Sequence, residues 1–474
     1  MDRASLAARI QDILNRRRGA AGVAPAARLR GEDEDAAFAG RCTAAESSAR
    51  VLEVLGATLA DSEHGPCVVV DREYPASYRH GRHPVEGLAG AARDGVPSLP
   101  WFLDGKAGVQ CADSEPSRLL FFDLETTGLS GGAGTVAFLV GWGFFDGDAF
   151  RTRQFFLRGY SAERALLHAA ALFAASFGVG AGVVGPGAIL VTYNGRAFDL
   201  PLIETRYAFH RLACPFTGAP HLDMLFPARR LWKRRAEWAP LSAPAWSGGH
   251  DASGSCALTA LERDILELRR QDDVPGWEIP SRYFAFARTG DAACVSAVLE
   301  HNRLDLLSLA AVTGLVLQMA RRGVGAARDR HECLALGRLF ELLARPEDAE
   351  CCYLAAASDE PGPGAEGDRL ARAEALRWIA VQRRRTRRFD EAADAWRRLA
   401  AIDGIDPELC REALEALAIH HEHRVRDLPT AREFALRALD LAEDARRVNE
   451  VRHRLGRLSR KLDGPGRDRG PGDP

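Results

Sequence analysis

Residues 119–135 read LLFFDLETTGLSGGAGT. Leu119 to Phe122 form an uninterrupted apolar run, the pattern of a strand buried on both faces. Two carboxylates, Asp123 and Glu125, follow in the same strand. Residues i and i+2 of a strand face the same side, so these two acids point together. Burying an ionised carboxylate is costly without compensation, and two adjacent carboxylates repel. A hard divalent cation such as Mg²⁺ or Mn²⁺ turns that repulsion into a favourable ligand set. A lone DxE is weak evidence, because most such pairs are solvated surface. The apolar setting of this one is what raises its interest.

Outward from this strand the elements are legible. TVAFLVGWGFF (135–145) and DAFRTRQFFLR (148–158) are expected as two further strands joined at Asp146-Gly147, a hairpin signal. SAERALLHAAALFAASF (161–177) is expected as a helix capped by Ser161, with Glu163 in its first turn. GAILVTYN (187–194) is a fourth strand, DLPLIETRYAFHRLA (199–213) a helix, and HLDML (221–225) a short fifth strand. Helices continue to about Ala320. Three meandering strands, then strands alternating with helices, make a mixed α/β sheet in the order of a ribonuclease H-like fold.

Beyond about residue 325 the pattern is all-helical and repetitive. Gly337, Ala349, Tyr353, Ala356 and Pro361 fit the small, aromatic and proline positions of a tetratricopeptide repeat. Ala380, Phe389, Ala392 and Trp396 give a second copy, and Ala431, Ala435 and Ala438 a weaker third. The offsets from Ala349 to Ala392 to Ala431 are 43 and 39 residues, longer than the usual period of about 34. Turns such as DEPGPGAEGD (359–368) absorb the excess.

The expected organisation is therefore an N-terminal region 1–100, an α/β domain 101–324, helical repeats 325–462 and a disordered tail 463–474. Within the first, residues 1–18 read as an amphipathic helix. Residues 19–100 read as loosely structured or packed onto the next domain, with CVVVDREYP as the one strand-like piece.

Composition narrows the classes. The 474 residues are 46% hydrophobic and 27% charged, with a formal net charge of −2, so no global basic field advertises nucleic acid. Lysine occurs only at 106, 233 and 461, against 60 arginines, a bias that weakens any argument from Arg clusters. The ten cysteines show no zinc-ligand spacing and read as reduced thiols. The N-terminus lacks the apolar core of a signal peptide, and no apolar stretch reads as long enough to span a membrane. The expectation is a cytoplasmic protein with no membrane partner.

Two further constellations accompany the DxE. In TYNGRAFDLPLIETR (192–206) a strand ends at Asn194, a glycine turn follows, and Asp199 opens a helix. A first-turn acid stabilises any helix, so Asp199 alone is weak evidence. In EHNRLDLLSLAAV (300–312), His301 and Asp305 are i and i+4 on an amphipathic helix over about 291–320. Such a pair is also common on helix surfaces.

In this order, DxE, NxxxFD and HxxxD match the three exonuclease motifs of the DEDD (DnaQ-like) superfamily. With HLDMLFPARRLWKRR, LTALERDIL and DDVPGWEIPSRYF, the chain resembles the bacterial YprB-like proteins over roughly 65–455. That resemblance implies an RNase H-like domain with tetratricopeptide repeats behind it. It implies a 3′–5′ exonuclease in which Asp123, Glu125, Asp199 and Asp305 hold two divalent metal ions, Mg²⁺ or Mn²⁺. It also implies that His301 takes the proton of the attacking water. Asn194, Phe198, Thr126 and Gly128 would line the groove for a nucleic-acid 3′ end, and the repeats would take a protein partner. The alternative is an inactive RNase H-like nucleic-acid-binding module on a repeat scaffold. One departure stands out: His301 lies four residues before Asp305, the spacing of the tyrosine subclass, whereas the histidine subclass places it five before. One residue turns a helix position by about 100°.

Three neighbouring patterns read differently. GAGVVG (180–185) lacks the strand-then-helix context of a dinucleotide site. ARRLWKRR (228–235) is either a phosphate-contacting run with a stacking Trp232 or a solvated helix face with Trp232 in the core. RRRTRR (383–388) reads as a solvated turn between repeat helices.

Overall fold

A computed structural model describes residues 44–102, 119–128, 134–180, 187–233, 256–359, 367–442 and 444–463. The expected helix over 1–18, the GAGVVG stretch beyond Gly180, Pro361 and the tail beyond Asp463 lie outside the described residues.

A seven-stranded mixed sheet forms the centre, in the order β1-β2-β7-β6-β5-β8-β9. Its strands are β1 (Thr58–Ser62), β2 (Gly65–Tyr74), β5 (Leu119–Thr126), β6 (Ala137–Asp146), β7 (Ala149–Phe156), β8 (Ile189–Thr192) and β9 (His221–Asp223). A two-residue ladder, β3 (Arg79–His80) with β4 (His83–Pro84), stands apart. β5, β6 and β7 form an antiparallel meander, and β8 and β9 add in parallel on the far side of β5. The β6–β7 hairpin turns at Gly147, whose φ of 62° favours glycine.

β5 runs through the middle because both its faces are apolar. Leu120 and Phe122 join one cluster with Trp142 and Leu190, while Leu119 and Phe121 join another with Ile189, Val191 and Leu306. Leu120, Phe121 and Phe122 are fully buried, each contributing about 1.5–3 kcal/mol. Asp123 and Glu125 continue the Leu119–Phe121 face, the one that carries Leu306 and the C-terminal part of a long helix.

Of the two readings of the N-terminal region, loosely structured or packed onto the next domain, residues 58–95 follow the second. β1 and β2 form a hairpin, and β2 pairs with β7 over Val68–Tyr74, so the sheet begins well before residue 101. Helix α1 (Ala44–Leu55) precedes this hairpin, and α2 (Val85–Gly95) follows the β3–β4 ladder. α2 packs against the long helix at glycine contacts: a Cβ on Gly95 would lie 2.2 Å from Leu317 Cβ. One strand-like piece in the sequence understated this region because β1, TLADS, has only alternating half-burial and little apolar signal.

The remaining domain helices are α3 (Glu163–Ser176), α4 (Asp199–Phe209), α5 (Leu225–Trp232), α6 (Leu258–Leu261, continued by a π turn to Leu266), α7 (Ile279–Thr289) and α8 (Ala293–Arg322). The expected Ser161 cap is not made. Ser161 sits in a 3₁₀ turn, and no side chain caps α3. Glu163 instead pairs with Arg206 at 2.6 Å, tying α3 to α4.

α8, with the 3₁₀ turn Gly323–Ala326 behind it, is long and apolar enough to cross a membrane by length and composition, which corrects the expectation that no such stretch exists. Of its most apolar window, 72% is buried inside the protein, as in a core helix.

The C-terminal region is all-helical: α9 (Arg330–Leu342) with α10 (Pro346–Ala356), α11 (Gly367–Arg385) with α12 (Phe389–Ala400), α13 (Pro407–His420) with α14 (Leu428–Asp440), then α15 (Ala445–Leu462). Ala349, Ala392 and Ala431 are buried in successive pairs. The connecting turns pass through the left-handed residues Ala344, Arg387 and Arg426, spaced as those alanines are. Trp232 Nε1 donates to Glu332 Oε1 at 2.8 Å, so Trp232 fastens α5 to α9, and its indole N–H is spent inside the protein. Around RRRTRR, Arg383 and Arg388 pair with Glu391, in keeping with a solvated turn.

Candidate active site

β5, α4 and α8 bring their acids to one place. Asp123 and Glu125 arrive from the carboxyl half of β5, beside a register shift between Glu125 and Thr126. Bulges next to functional sites re-aim side chains in this way. Asp199 arrives at the first position of α4. Asp305 and His301 arrive from consecutive turns of α8. Donor atoms of Glu125, His301 and Asp305 all lie within 4.8 Å of one another, a grouping that could hold a metal ion.

Electrostatics binds the same set together. Burial pushes the Asp123 carboxyl well above the usual range, and the charges of Asp305 and Asp199 add to it. Glu125 is raised likewise, by burial, then Asp123, Asp305 and Asp199. Asp199 is pushed up to about 7 by burial, Asp223 and Asp305. Among the described residues, no Arg or Lys makes an ion pair with Asp123, Glu125 or Asp199. Largely desolvated, mutually repelling carboxylates with no ion-pair partner are the donor set that hard divalent ions fit.

Three features beyond the sequence motifs organise the acids. Asn302, fully buried between His301 and Asp305, donates Nδ2 to Asp123 Oδ2 at 2.7 Å. Its Oδ1 accepts from Gln154 Nε2 at 2.7 Å. Gly141, opposite Asp123 in the β5–β6 register, clears space for this amide: a Cβ there would lie 2.2 Å from Asn302 Oδ1.

Asp223, at the end of β9, shapes the turn before Asp199. Its carboxylate accepts from the backbone N–H groups of Asn194 at 2.7 Å, Arg196 at 3.1 Å and Leu225 at 3.1 Å. Asn194 there takes a left-handed φ of 62°. A Cβ on Gly195 would lie 2.5 Å from Thr192, so the tight turn needs glycine.

Arg270 and Asp273 form the third feature. Arg270 pairs with Asp305 and Glu262, and reaches Asp273 at 3.1 Å. His301 Nδ1 lies 2.7 Å from Asp273 Oδ1, and its Nε2 lies 3.5 Å from Asp305 Oδ2. Arg270 Nη1 also lies 3.3 Å from Nδ1, but the shorter contact is to a carboxylate, which when ionised only accepts; it favours the hydrogen on Nδ1, with Nε2 towards the acids. Burial alone would pull the His301 imidazole down; the Asp273 hydrogen bond and the charges of Asp305 and Asp273 outweigh it and raise it. At the four-residue spacing, His301 thus sits between two carboxylates.

Of the residues expected along the substrate groove, Phe198 adjoins Asp199 and Thr126 adjoins Glu125 in the chain. Phe198, just before Asp199, is 59% exposed. Thr126 closes β5 and donates Oγ1 to the Gly128 carbonyl at 2.8 Å. Residues 129–133 of the opening stretch lie outside the described residues. Asn302, Asp223, Arg270 and Asp273 were not marked as site residues, although Asn302 lies inside HNRLD, and Asp223 and Asp273 lie in HLDMLFPARRLWKRR and DDVPGWEIPSRYF, stretches that carry the resemblance.

The mixed sheet with this cluster at its central strand is a ribonuclease H-like fold, and residues 120–317 match the family model described as RNase_H superfamily. Such a domain implies nucleic-acid binding and points to nuclease or related activity on nucleic acid. Over 403 residues, 83% of this chain and 86% of the relative, the chain is 28% identical to a protein of Bacillus subtilis (strain 168) named "Uncharacterized protein YprB".

Proposed function

We propose that the protein is a DEDD-type, metal-dependent 3′–5′ exonuclease that hydrolyses phosphodiester bonds of DNA or RNA. The observation that carries this reading is the convergence of Asp123, Glu125, Asp199 and Asp305 from three separate segments, three of them unpaired with any cation among the described residues.

Two divalent ions, Mg²⁺ or Mn²⁺, held by these four carboxylates would supply Lewis-acid charge at both the attacking and leaving oxygens of a phosphodiester displacement. Asn302 keeps the Asp123 carboxylate aimed, through its 2.7 Å hydrogen bond. Asp273 holds His301 Nδ1–H, leaving Nε2 to orient the attacking water and take its proton. Arg270 neutralises part of the charge on Asp305 and Glu262. Phe198, already exposed, offers a face on which a terminal base stacks, a contact worth about 1–3 kcal/mol. Asn194, Thr126 and Gly128 line the same groove. The helical pairs behind the domain are a tetratricopeptide-like arm for a protein partner, supported by the common spacing of their turns and buried alanines.

The test is incubation of the purified protein with 3′-labelled single- and double-stranded DNA and RNA, with Mg²⁺ or Mn²⁺, beside Asp123→Ala and Asp305→Ala. Metal-dependent loss of label that both substitutions abolish is expected. No loss on any substrate, or equal loss with the variants, returns the domain to a non-cutting nucleic-acid-binding module.

A further inference from the structure

A second cluster of metal-ligating side chains lies outside the acidic site. Glu63 and His64 occupy the tip of the β1–β2 hairpin, and His168 stands on α3, which packs beneath that hairpin. His64 Nε2 lies 3.2 Å from Glu63 Oε1, and His168 Nε2 lies 3.4 Å from the same oxygen. Donor atoms of the three residues all fall within 4.8 Å of one another. The imidazoles meet edge to face, with centroids 4.9 Å apart.

Hydrogen bonding does not explain this arrangement. His64 Nε2 is buried and has no hydrogen-bond partner, although a carboxylate oxygen is 3.2 Å away. The two atoms are close without being aligned. Buried polar atoms are nearly always satisfied, so a buried nitrogen set beside a carboxylate without a hydrogen bond needs a cause.

A metal ion supplies one. Zinc binds imidazole nitrogen at about 2.0–2.1 Å and carboxylate oxygen at about 2.0–2.2 Å, so neighbouring ligands of a tetrahedral site stand about 3.3–3.5 Å apart. The separations of 3.2 and 3.4 Å lie close to that edge length, and ligands of one ion point at the ion, not at each other. Two imidazoles with one carboxylate suit zinc better than Mg²⁺, which prefers oxygen donors.

The geometry points to a zinc site formed by Glu63, His64 and His168, with water in the fourth position, that pins the edge hairpin of the sheet to α3. It is separate from the acidic site on β5, and its only ligands come from β1–β2 and α3. Glu63 is two-thirds exposed, so an ion has an open path in.

The test is zinc uptake by the full chain, stripped with chelator and dialysed against Zn²⁺ in excess Mg²⁺. Wild type is compared with His64→Ala/His168→Ala and with Glu63→Gln. The same comparison is repeated in an Asp123→Asn/Asp305→Asn background, which removes competition from the acidic site. The expected result is one zinc more in wild type than in the double-histidine variant, in both backgrounds. Co²⁺ in its place should give the absorption of a tetrahedral ion, and zinc should raise the unfolding temperature more in wild type than in the double-histidine variant. Equal uptake by wild type and the double-histidine variant would overturn the assignment, as would a difference that vanishes in the Asp123→Asn/Asp305→Asn background.

Discussion

Asn302 on α8 donates its side-chain amide to Asp123 on β5 across 2.7 Å, and Gly141 on β6 leaves the space for it. One hydrogen bond thus joins the central strand to the helix that carries His301 and Asp305. Asn302→Ala removes the hydrogen-bond donor to Asp123 Oδ2 and one of the partners of Gln154, and should cost about 1–3 kcal/mol of stability. Gly141→Ala should cost a similar amount through overpacking. Both variants should lose nuclease activity at least tenfold while keeping their circular dichroism spectrum. Full activity in Asn302→Ala would show that the bond does not aim Asp123.

The unpaired acids make the metal-free protein sensitive to pH. Asp199 is pushed up to about 7, and Asp123 and Glu125 are also raised, so between about pH 4 and pH 7 the folded state holds more protons than the unfolded one. Stability that is full below the unfolded carboxyl values is therefore lost as pH rises towards 7. In chelator, the unfolding temperature should fall over that window, and Asp123→Asn should flatten the fall. Added Mg²⁺ or Mn²⁺ should stabilise the wild type more at pH 8 than at pH 5. Thermal melts across pH with and without metal check this, and a flat metal-free profile would contradict it.

His301 and Asp273 test the spacing departure. If His301 Nε2 handles the water's proton, His301→Ala should lower kcat by about 10²–10⁴. Asp273→Asn, which weakens the hold on Nδ1 and the contact with Arg270 but leaves the imidazole in place, should cost less, on the order of tenfold. Single-turnover rates for both variants separate the two roles. Unchanged cleavage by His301→Ala would remove it from the chemistry.

The last helix depends on one acid. Glu422 is buried and accepts from Arg454 at 3.1 Å, Arg457 at 2.7 Å and Lys461 at 2.8 Å. Hydrogen bonds from Arg457 hold its carboxyl down to about 2. A depressed carboxyl stabilises the fold above the unfolded value near 4.5, and this contribution is lost as pH falls through 2. Glu422→Ala should cost about 1–3 kcal/mol at pH 7 and progressively less below pH 4.5. Denaturant melts at several pH values measure the gap between variant and wild type.

Much of this was legible along the chain. The apolar run of β5, the hairpin glycine Gly147 and the periodicity of α8 are local signals, and each produced its element. Strand and helix periods put Asp123 with Glu125 and His301 with Asp305 on common faces, while Asp199 and the grouping of all five came from the resemblance carried by the three motifs. The repeat spacing of the C-terminal helices was readable for the same reason.

Long-range packing decided the rest. β2 joins the sheet through β7, its partner about eighty residues away, and a half-buried hairpin carries too little apolar pattern to announce that. Asn302, Asp223, Arg270 and Asp273 are ordinary polar residues until folding sets them against Asp123, the Asn194 turn, Asp305 and His301. Glu63 and His168 lie more than a hundred residues apart and meet only where α3 crosses the hairpin. Sequence periodicity determines which face a side chain takes. Which faces meet, and which charges they bring together, is set by tertiary packing alone.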